Sequence, residues 1–366
     1  MTPTRAPASV PAATAGGGAA TASGAPVGVS SAAAAPGAGR SAAAALVPLI
    51  GLALLATVPF FAGEYLQDLV VKIVILAIFA LSLELLAGTT GLVCFGQAAF
   101  FGIGAYAAVL LSPADGPASV LWLLPASVGA AAAYAMAVGA LSLRTRGVYF
   151  IMVTLAFAQM AYFVFHDTQL GGGSDGIFMY VRPSLEWGGR TWLNFDDKHH
   201  LYYSVLAALV FTYALLAVVR RSRFGHALAG IRVNEQRMRA VGFRTYAYKL
   251  GAFVLAGTLA GLAGFLLAVK DGAVNPELLS WHESGAVLLM LILGGIGHLR
   301  GAVLGAAAFT LLKEFFQTET LVGPLAAHWQ MTLGVSIIAF VALLPQGLIG
   351  AGRALRWRPA LRRKPA

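Results

Sequence analysis

Ten apolar segments, each near the length that a membrane-crossing helix needs, follow one another along this chain. They lie at roughly 42–61, 69–87, 91–111, 120–142, 148–165, 201–219, 250–270, 284–298, 301–316 and 329–349. A helix crosses the hydrocarbon of a bilayer with about 20 apolar residues. Only 11% of the 366 residues are charged, against roughly 25% in soluble domains. The sequence therefore predicts an all-α polytopic membrane protein with about ten transmembrane helices; because several segments are short, eight or nine remain open.

The basic residues alternate from one side of these segments to the other. With the N-terminus in the cytoplasm, 19 of the 25 Lys and Arg residues fall on the cytoplasmic side. The opposite loops hold Arg182, Arg190 and Lys198 and collect acidic residues instead. Short loops rich in Lys and Arg stay in the cytoplasm. We therefore predict cytoplasmic termini, a periplasmic loop at 166–200 and a cytoplasmic loop at 220–249.

The chain divides into a membrane domain and two tails. Residues 1–41 consist almost wholly of small residues and proline, with Arg5 and Arg40 as the only charges, which predicts a disordered cytoplasmic tail. A signal peptide here would have an unusually long segment before its apolar core, so we favour a first span that is retained in the protein. Residues 42–349 form the predicted transmembrane domain, and residues 350–366 a basic cytoplasmic tail.

Several function classes lack the residues that they need. The net charge is +10, but the basic residues lie between apolar segments rather than on one face, which argues against nucleic-acid binding. The single cysteine, Cys94, and seven scattered histidines predict no metal site. No Gly-x-x-x-x-Gly-Lys-Ser/Thr sequence occurs, so this chain has no phosphate-binding loop for ATP. It carries no recognisable catalytic motif either, and we predict that it is not an enzyme.

Ten spans split into two sets of five, and an odd number per half makes the halves inverted. The third span opens with the glycine-rich segment Gly91–Gly104, and the eighth ends in Gly294–Gly301. Glycine-interrupted segments at corresponding positions of inverted halves point to a substrate path. The alternative is that these glycines only allow close helix packing, as we expect for Gly257-x-x-x-Gly261 and Gly301-x-x-x-Gly305.

Polar residues on the apolar background are the other candidates for a translocation path. An ionised carboxylate inside a span costs several kcal/mol unless it is paired or hydrated, so Glu84 either lines the path or lies near the hydrated end of its span. Uncharged hydrogen-bonding groups suit a zwitterion in transit, or else make interhelical contacts. The predicted path residues are Glu84, Gly91, Gly96, Gln97, Gly102, Tyr149, Thr154 and Gln159.

The loop 220–249 is too long and too patterned to be a simple connector. Phe224, Leu228, Ile231, Met238 and Val241 recur at helical spacing, and glycines divide the loop into one or two short helices. A helix of this kind either docks into a partner and transmits its motion or lies on anionic lipid headgroups. We favour docking.

In this order, the segments Gly91–Tyr106, Arg146–Met160, Gly171–Gly176, Phe224–Leu250, Gly294–Gly301 and 345–347 resemble the membrane permease subunit of bacterial branched-chain amino acid ABC importers. The resemblance covers about 69–349. It implies a multi-pass inner-membrane protein that works with a related second permease subunit, two cytoplasmic ATPase subunits and a periplasmic binding protein. ATP would be hydrolysed by those partners, and this chain would carry no cofactor.

The resemblance also assigns roles to residues in the cytoplasmic loop. The segment that couples to the ATPase would be Phe224–Phe243, and the predicted coupling residues are Phe224, Gly230, Arg232, Glu235, Arg239 and Gly242. Gln97 and Glu84 depart from residues common in the family, and the spacing from Glu235 to Gly242 differs by one residue from the usual loop. Related urea permeases share the fold, and an ion-coupled secondary transporter is a further alternative from another class.

Overall fold

A computed structural model describes residues 51–59, 61, 63–113, 116, 118–187, 190–318, 323, 328–344 and 346–354. By its internal contacts the chain divides into two units, Met1–Leu52 and Ala53–Ala366, and every element named below belongs to the second. The predicted tail 1–41, half of the first apolar segment (42–50 and 60) and residues 355–366 of the C-terminal tail lie outside the described residues.

Helices make up most of the described second unit, and short strands occur only in loops. The helices are α1 (Glu64–Glu84), α2 (Gln97–Leu110), α3 (Val120–Ser142), α4 (Val148–Asp167), α5 (Lys198–Arg221), α6 (Arg223–Val233), α7 (Glu235–Ala240), α8 (Thr245–Asp271), α9 (Trp281–Gly294), α10 (Leu299–Gln317), α11 (Trp329–Leu343) and α12 (Gly347–Ala354). The strands are β1 (Ile177–Phe178), β2 (Ser184–Trp187), β3 (Arg190–Asn194) and β4 (Ala273–Val274). A π-helical turn, Leu85–Thr90, continues α1.

Every predicted apolar segment from 69–87 onward coincides with a helix, so the prediction of an all-α polytopic membrane protein is confirmed. The count of ten spans is not. Among the described residues, six helices are long and apolar enough to cross a membrane. A seventh span results if α9 and α10, which are bent by 116° at their junction, count as one. The 14 residues of α2 rise only about 21 Å. Segment 91–111 is shorter as a helix than predicted because its first six residues, ahead of Gln97, form an irregular turn.

Helix α8 lies at the centre of the bundle, where it packs against α1, α2 and α3. Small residues allow the close approach of these helices. A Cβ on Gly257 would meet Ala135 of α3, and a Cβ on Gly261 would meet Ala131 one turn away. Gly301 and Gly305 similarly face the end of α9. The expectation that these two glycine pairs serve helix packing agrees with the structure.

The two ends of the bundle differ in charge and in contacts. At one end, which we call the acidic face, Lys198 Nζ lies 2.8 Å from Glu64 Oε2, and Lys270 Nζ lies 3.0 Å from Asp68 Oδ1. At the other, which we call the basic face, α6 lies beside the π-helical turn, and Arg220 at the end of α5 contacts the α9–α10 turn. The loop 166–200 therefore lies at the acidic face and the loop 220–249 at the basic face.

At the acidic face, the loop 166–200 contains strands β1, β2 and β3, and the segment that follows α8 contains strand β4. Strand β1 pairs antiparallel with β4, and β2 pairs antiparallel with β3. Met179 N donates to Gly272 O at 2.8 Å, and Arg182 Nη2 donates to Lys270 O at 3.2 Å. The loop is thus joined to the end of α8 by backbone and side-chain hydrogen bonds.

Candidate functional site

Two short helices contact each other through their first turns. Helices α2 and α9 each have 14 residues, and each follows a segment outside the α-helices that begins at a glycine with positive φ, Gly91 or Gly272. Ala98 N in the first turn of α2 donates to Ser284 Oγ in the first turn of α9 at 3.0 Å. Helix N-termini carry partial positive charge and free N–H groups. Their meeting point is therefore a polar spot in an apolar interior.

Gln97 begins α2 at this meeting point and is fully buried. Its Nε2 donates to Ser82 Oγ of α1 at 2.8 Å and to Ala256 O of α8 at 3.3 Å. Its Oε1 has no hydrogen-bond partner among the described residues. Buried polar atoms are rarely left unpaired, so this oxygen is available to a solute or water that reaches the meeting point.

The turn Gly91–Gly96, which precedes α2, is packed against α4. Phe95 N donates to Thr154 Oγ1 at 3.4 Å, and Thr154 is buried. A Cβ on Gly96 would lie 2.6 Å from the carbonyl oxygen of Thr154. Gly96 therefore occupies a tight backbone contact, which is what the packing interpretation of these glycines expects; its role in a path remains a prediction.

The remaining predicted path residues are spread over several surroundings. Gly102 faces the side chain of Leu279, so it too occupies a close contact. Tyr149 lies at the start of α4 with 74% of its surface exposed. Gln159, also on α4, is half-buried, and its Oε1 has no partner in the described part of the chain. The structure brings Gln97, Gly96 and Thr154 together, but it places Tyr149 away from them at the basic end of α4.

Glu84, the last residue of α1, lies near the basic face and is fully buried. Its Oε2 accepts a hydrogen bond from Gly297 N at 3.2 Å, in the turn between α9 and α10. The expected hydrated position is therefore wrong, although its place near the end of the span is as predicted. The turn Gly294–Gly301 follows the second short helix, whereas Gly91–Gly96 precedes the first. The correspondence of these two glycine segments in inverted halves stays a prediction.

The apolar stripe of the loop 220–249 is partly used within the chain. Leu228 and Ile231 of α6 are buried, since α6 packs on α5, α8 and the π-helical turn. Phe224 stacks on Tyr248 with ring centroids 5.6 Å apart. Val233 and Val241 remain 86% and 70% exposed. The surface free to meet a partner is thus the ends of α6 and α7, rather than the whole stripe.

Glu235 begins α7 and makes ion pairs within α7 and with α8. Its Oε2 lies 2.6 Å from Lys249 Nζ of α8, and its Oε1 lies 2.5 Å from Arg239 Nη2 one turn later. Arg239 Nε also donates to Thr245 Oγ1 at 3.0 Å. Partial burial alone raises the pKa of the Glu235 carboxyl, but the hydrogen bonds and charges of Lys249 and Arg239 outweigh it and hold the pKa below its ordinary value.

The other predicted coupling residues lie around this ion-pair cluster. Arg232 Nη1 donates to Gly88 O in the π-helical turn. Gly230 faces the side chain of Met238, so α6 and α7 approach closely there. Gly242 has φ +94° in the turn before α8, a conformation that side-chain-bearing residues rarely adopt. These contacts keep α6 and α7 in place on the membrane domain.

A cavity of about 610 Å³ opens between the π-helical turn, α6 and α9. Gly91, Arg232 and Glu235 contribute to its wall, together with Lys249 and apolar residues that include Ile231 and Leu288. Its volume is in the range of small-molecule sites. One residue predicted for the path and two predicted for coupling therefore share a single wall at the basic face.

Sequence reasoning missed several residues that complete this site. Ser82, Ser284 and Arg220 were not singled out, although each makes a polar contact inside or beside the bundle. A serine in an apolar helix was a usable signal for the first two. No group of three or more potential metal ligands occurs in the described residues.

Comparison with known proteins decides the family. The model of the branched-chain amino acid transport system / permease component family matches residues 65–344. The chain belongs to this family. It is a membrane transport permease, and families of this kind supply a transport subunit rather than an enzyme.

Three relatives show the range of the similarity. The high-affinity branched-chain amino acid transport system permease protein LivM of Escherichia coli (strain K12) is 30% identical over 82% of this chain and 74% of its own length. LivH of the same system and strain is 22% identical over 75% of this chain and 91% of its own length. The autoinducer 2 import system permease protein LsrC of Yersinia enterocolitica is 29% identical, but over only 28% of this chain.

Proposed function

We propose that this chain is the permease subunit of an ATP-driven importer that moves branched-chain or similar amino acids across the bacterial inner membrane. The observation that carries the proposal is its 30% identity to LivM over 82% of the chain. The buried, part-satisfied Gln97 at the meeting point of two helix N-termini suits the carboxylate and ammonium groups of a zwitterion.

The partners follow from the same comparison and from what the chain lacks. Both LivM and LivH resemble it, which supports a related second permease subunit. The sequence has no phosphate-binding loop of the Walker type, so two cytoplasmic ATPase subunits would bind and hydrolyse ATP. A periplasmic binding protein would deliver the substrate. Phe224, Gly230, Arg232, Glu235, Arg239 and Gly242 would form or support the coupling surface.

For orientation we propose that the basic face is cytoplasmic, with both termini on that side, and that the acidic face is periplasmic. Cysteine in place of Ser174, at the acidic face, or Gln236, at the basic face, tests this with a membrane-impermeant thiol reagent on spheroplasts. Both residues are exposed, and Cys94 is buried. We expect labelling at position 174 alone. Labelling at position 236 alone would show that the orientation is the opposite of the one proposed.

We further propose ten membrane segments in two inverted halves, with α2 and α9 as half-length segments. Helix packing supports this arrangement. Helix α8 packs on α2 and α3, as α1 packs on α9 and α10. Helices α2, α3 and α4 contact one another, as do α9, α10 and α11. If α1 is matched with α8, α2 with α9, α3 with α10 and α4 with α11, each of the contacts just named in one half has an equivalent in the other.

Transport by the reconstituted complex tests the function. The chain is co-purified with its second permease and ATPase subunits, placed in proteoliposomes with ATP inside, and supplied with binding protein and radiolabelled leucine. We expect leucine uptake that requires ATP hydrolysis and that excess valine or isoleucine inhibits. Inhibition by urea alone would favour a urea permease. Uptake without ATP that follows an ion gradient would favour a secondary transporter.

A further inference from the structure

Two glycine turns lie side by side at the basic face of the membrane domain. The first is the π-helical turn Leu85–Thr90, which links α1 to the segment before α2. The second joins α9 to α10 and contains Gly297, with φ +95°. Each turn is attached to one of the two short helices that meet at Gln97 and Ser284. π-Helical turns are uncommon and often mark functional positions.

An arginine at each end of α6 holds one of these turns. Arg220, in the last turn of α5 just before α6, donates from Nη2 to Gly297 O at 2.9 Å. Arg232, in the last turn of α6, donates from Nη1 to Gly88 O. The segment from Arg220 to Arg232, which contains α6, is therefore attached to the α2 side of the membrane domain through Arg232 and to the α9 side through Arg220.

Glu84 connects the two turns to each other. It is the residue that immediately precedes the π-helical turn, and its Oε2 accepts from Gly297 N in the other turn at 3.2 Å. Its carboxylate lies directly against Gly88, where a Cβ would collide with it. Arg220 and Arg232 are its nearest positive charges. A buried carboxylate is costly unless it is compensated. Here the Gly297 N–H satisfies Oε2 and the two arginines supply opposite charge, whereas Oε1 has no hydrogen-bond partner among the described residues.

We propose that Glu84 is a positioning residue for coupling: it ties the two glycine turns together, so that a displacement of α6 and α7 moves both short helices at once. This rests on the proposed function, because it needs an ATPase to displace α6. Glu84 is not among the residues that form the wall of the 610 Å³ cavity. Its Oε2 is thus bound by a protein N–H, whereas the path prediction would have the carboxylate face a solute.

The test uses the complete transporter in proteoliposomes and measures ATP hydrolysis with and without loaded binding protein. Glu84→Ala removes the bridge, and Glu84→Gln keeps an oxygen acceptor for Gly297 N–H but removes the charge. Gly88→Ala leaves the carbonyl that Arg232 binds but displaces Glu84. Glu64→Gln, at the other end of α1 and exposed, is the matched control. All variants are compared at equal amounts of assembled complex.

We expect the ratio of stimulated to unstimulated hydrolysis to fall about fivefold or more in Glu84→Ala and Gly88→Ala, in line with usual coupling strengths. The ratio should fall less in Glu84→Gln, and in Glu64→Gln it should equal that of the native chain. Arg220→Met should add little to Glu84→Ala, because both break the same bridge at Gly297. Leucine imported per ATP should fall with the ratio.

Native stimulation in assembled Glu84→Ala complex would overturn the proposal, as would fully additive effects of Glu84→Ala and Arg220→Met. A raised leucine concentration for half-maximal uptake with unchanged stimulation would return Glu84 to the path. Failure of the native complex to import leucine with ATP would instead refute the proposed function, so the two failures are distinguishable.

Discussion

Replacement of Gly96 by alanine separates the two interpretations of the glycine-rich segment before α2. The new Cβ would lie 2.6 Å from Thr154 O and 3.3 Å from both Thr154 C and Thr154 Cβ, whereas ordinary contact begins at 3.4 Å. The carbonyl belongs to the backbone of α4 and cannot rotate away. The turn and α4 must therefore separate by about 0.8 Å at this point.

The cost can be estimated from the groups involved. Overpacking of a tight interior contact costs about 1–3 kcal/mol. The hydrogen bond from Phe95 N to Thr154 Oγ1 lies at the same contact and, at 3.4 Å, has no room to lengthen; its loss would add about 0.5–1.5 kcal/mol. Gly96 has φ −100°, so alanine meets no backbone strain that would obscure the comparison.

The assay is thermal unfolding of the detergent-purified subunit or complex, followed by uptake measured per assembled complex. Gly129→Ala in α3 is the matched control, because nothing lies within 4 Å of its added Cβ; it should be neutral or stabilising by about 0.4–1 kcal/mol. We expect Gly96→Ala to unfold at a clearly lower temperature, with uptake per surviving complex reduced much less than stability.

The opposite pattern would refute this reasoning. An unfolding temperature equal to that of the Gly129→Ala control, together with lost uptake, would mean that the Cβ enters the substrate path rather than the backbone of α4. Gly96 would then line the path, as the sequence interpretation proposes.

Three further predictions concern the other contacts. The ion pairs of Glu235 lower its pKa, so they stabilise the fold fully above the ordinary pKa of 4.5, and this stability is lost as the pH falls through the lowered pKa. Glu235→Gln should therefore unfold at a lower temperature than the native chain at pH 7. A difference in unfolding temperature that does not narrow below pH 4.5 would contradict this. Gly242→Ala should cost about 1–2 kcal/mol because of its positive φ, whereas Gly285→Ala, with open space around it, should not; equal melting temperatures would exclude the strain. Ser284→Ala removes the acceptor for Ala98 N and should cost about 1–3 kcal/mol; unchanged thermal stability would show that this buried N–H finds another partner.

Helix positions were predictable because hydropathy can be read from the local sequence. Helix lengths and directions depend instead on tertiary contacts, which the local sequence does not show. The segment 120–142 is a helix over those same residues. Segment 91–111 lost its first turn because the chain before Gln97 bends at Gly91 and packs on Thr154. No local pattern distinguishes two separate spans from the bent pair α9 and α10.

The site was predictable where a polar residue interrupts an apolar helix, as Gln97 and Glu84 do. Their partners were not, since Ser82, Ala256 and Gly297 are distant in sequence from them or contribute only a backbone group. The stripe in α6 was correctly read as helical, but the periodicity could not show that Leu228 faces the chain's own core.

Helix α8 connects the acidic face of the membrane domain to the basic face. Its 27 residues contain no proline and extend about 40 Å. Near one end Lys249 holds Glu235 of α7, and at the other the carbonyls of Lys270 and Gly272 hold the loop 166–200. A force applied to that loop therefore reaches the opposite surface along one continuous rod, without a hinge between the two points of attachment.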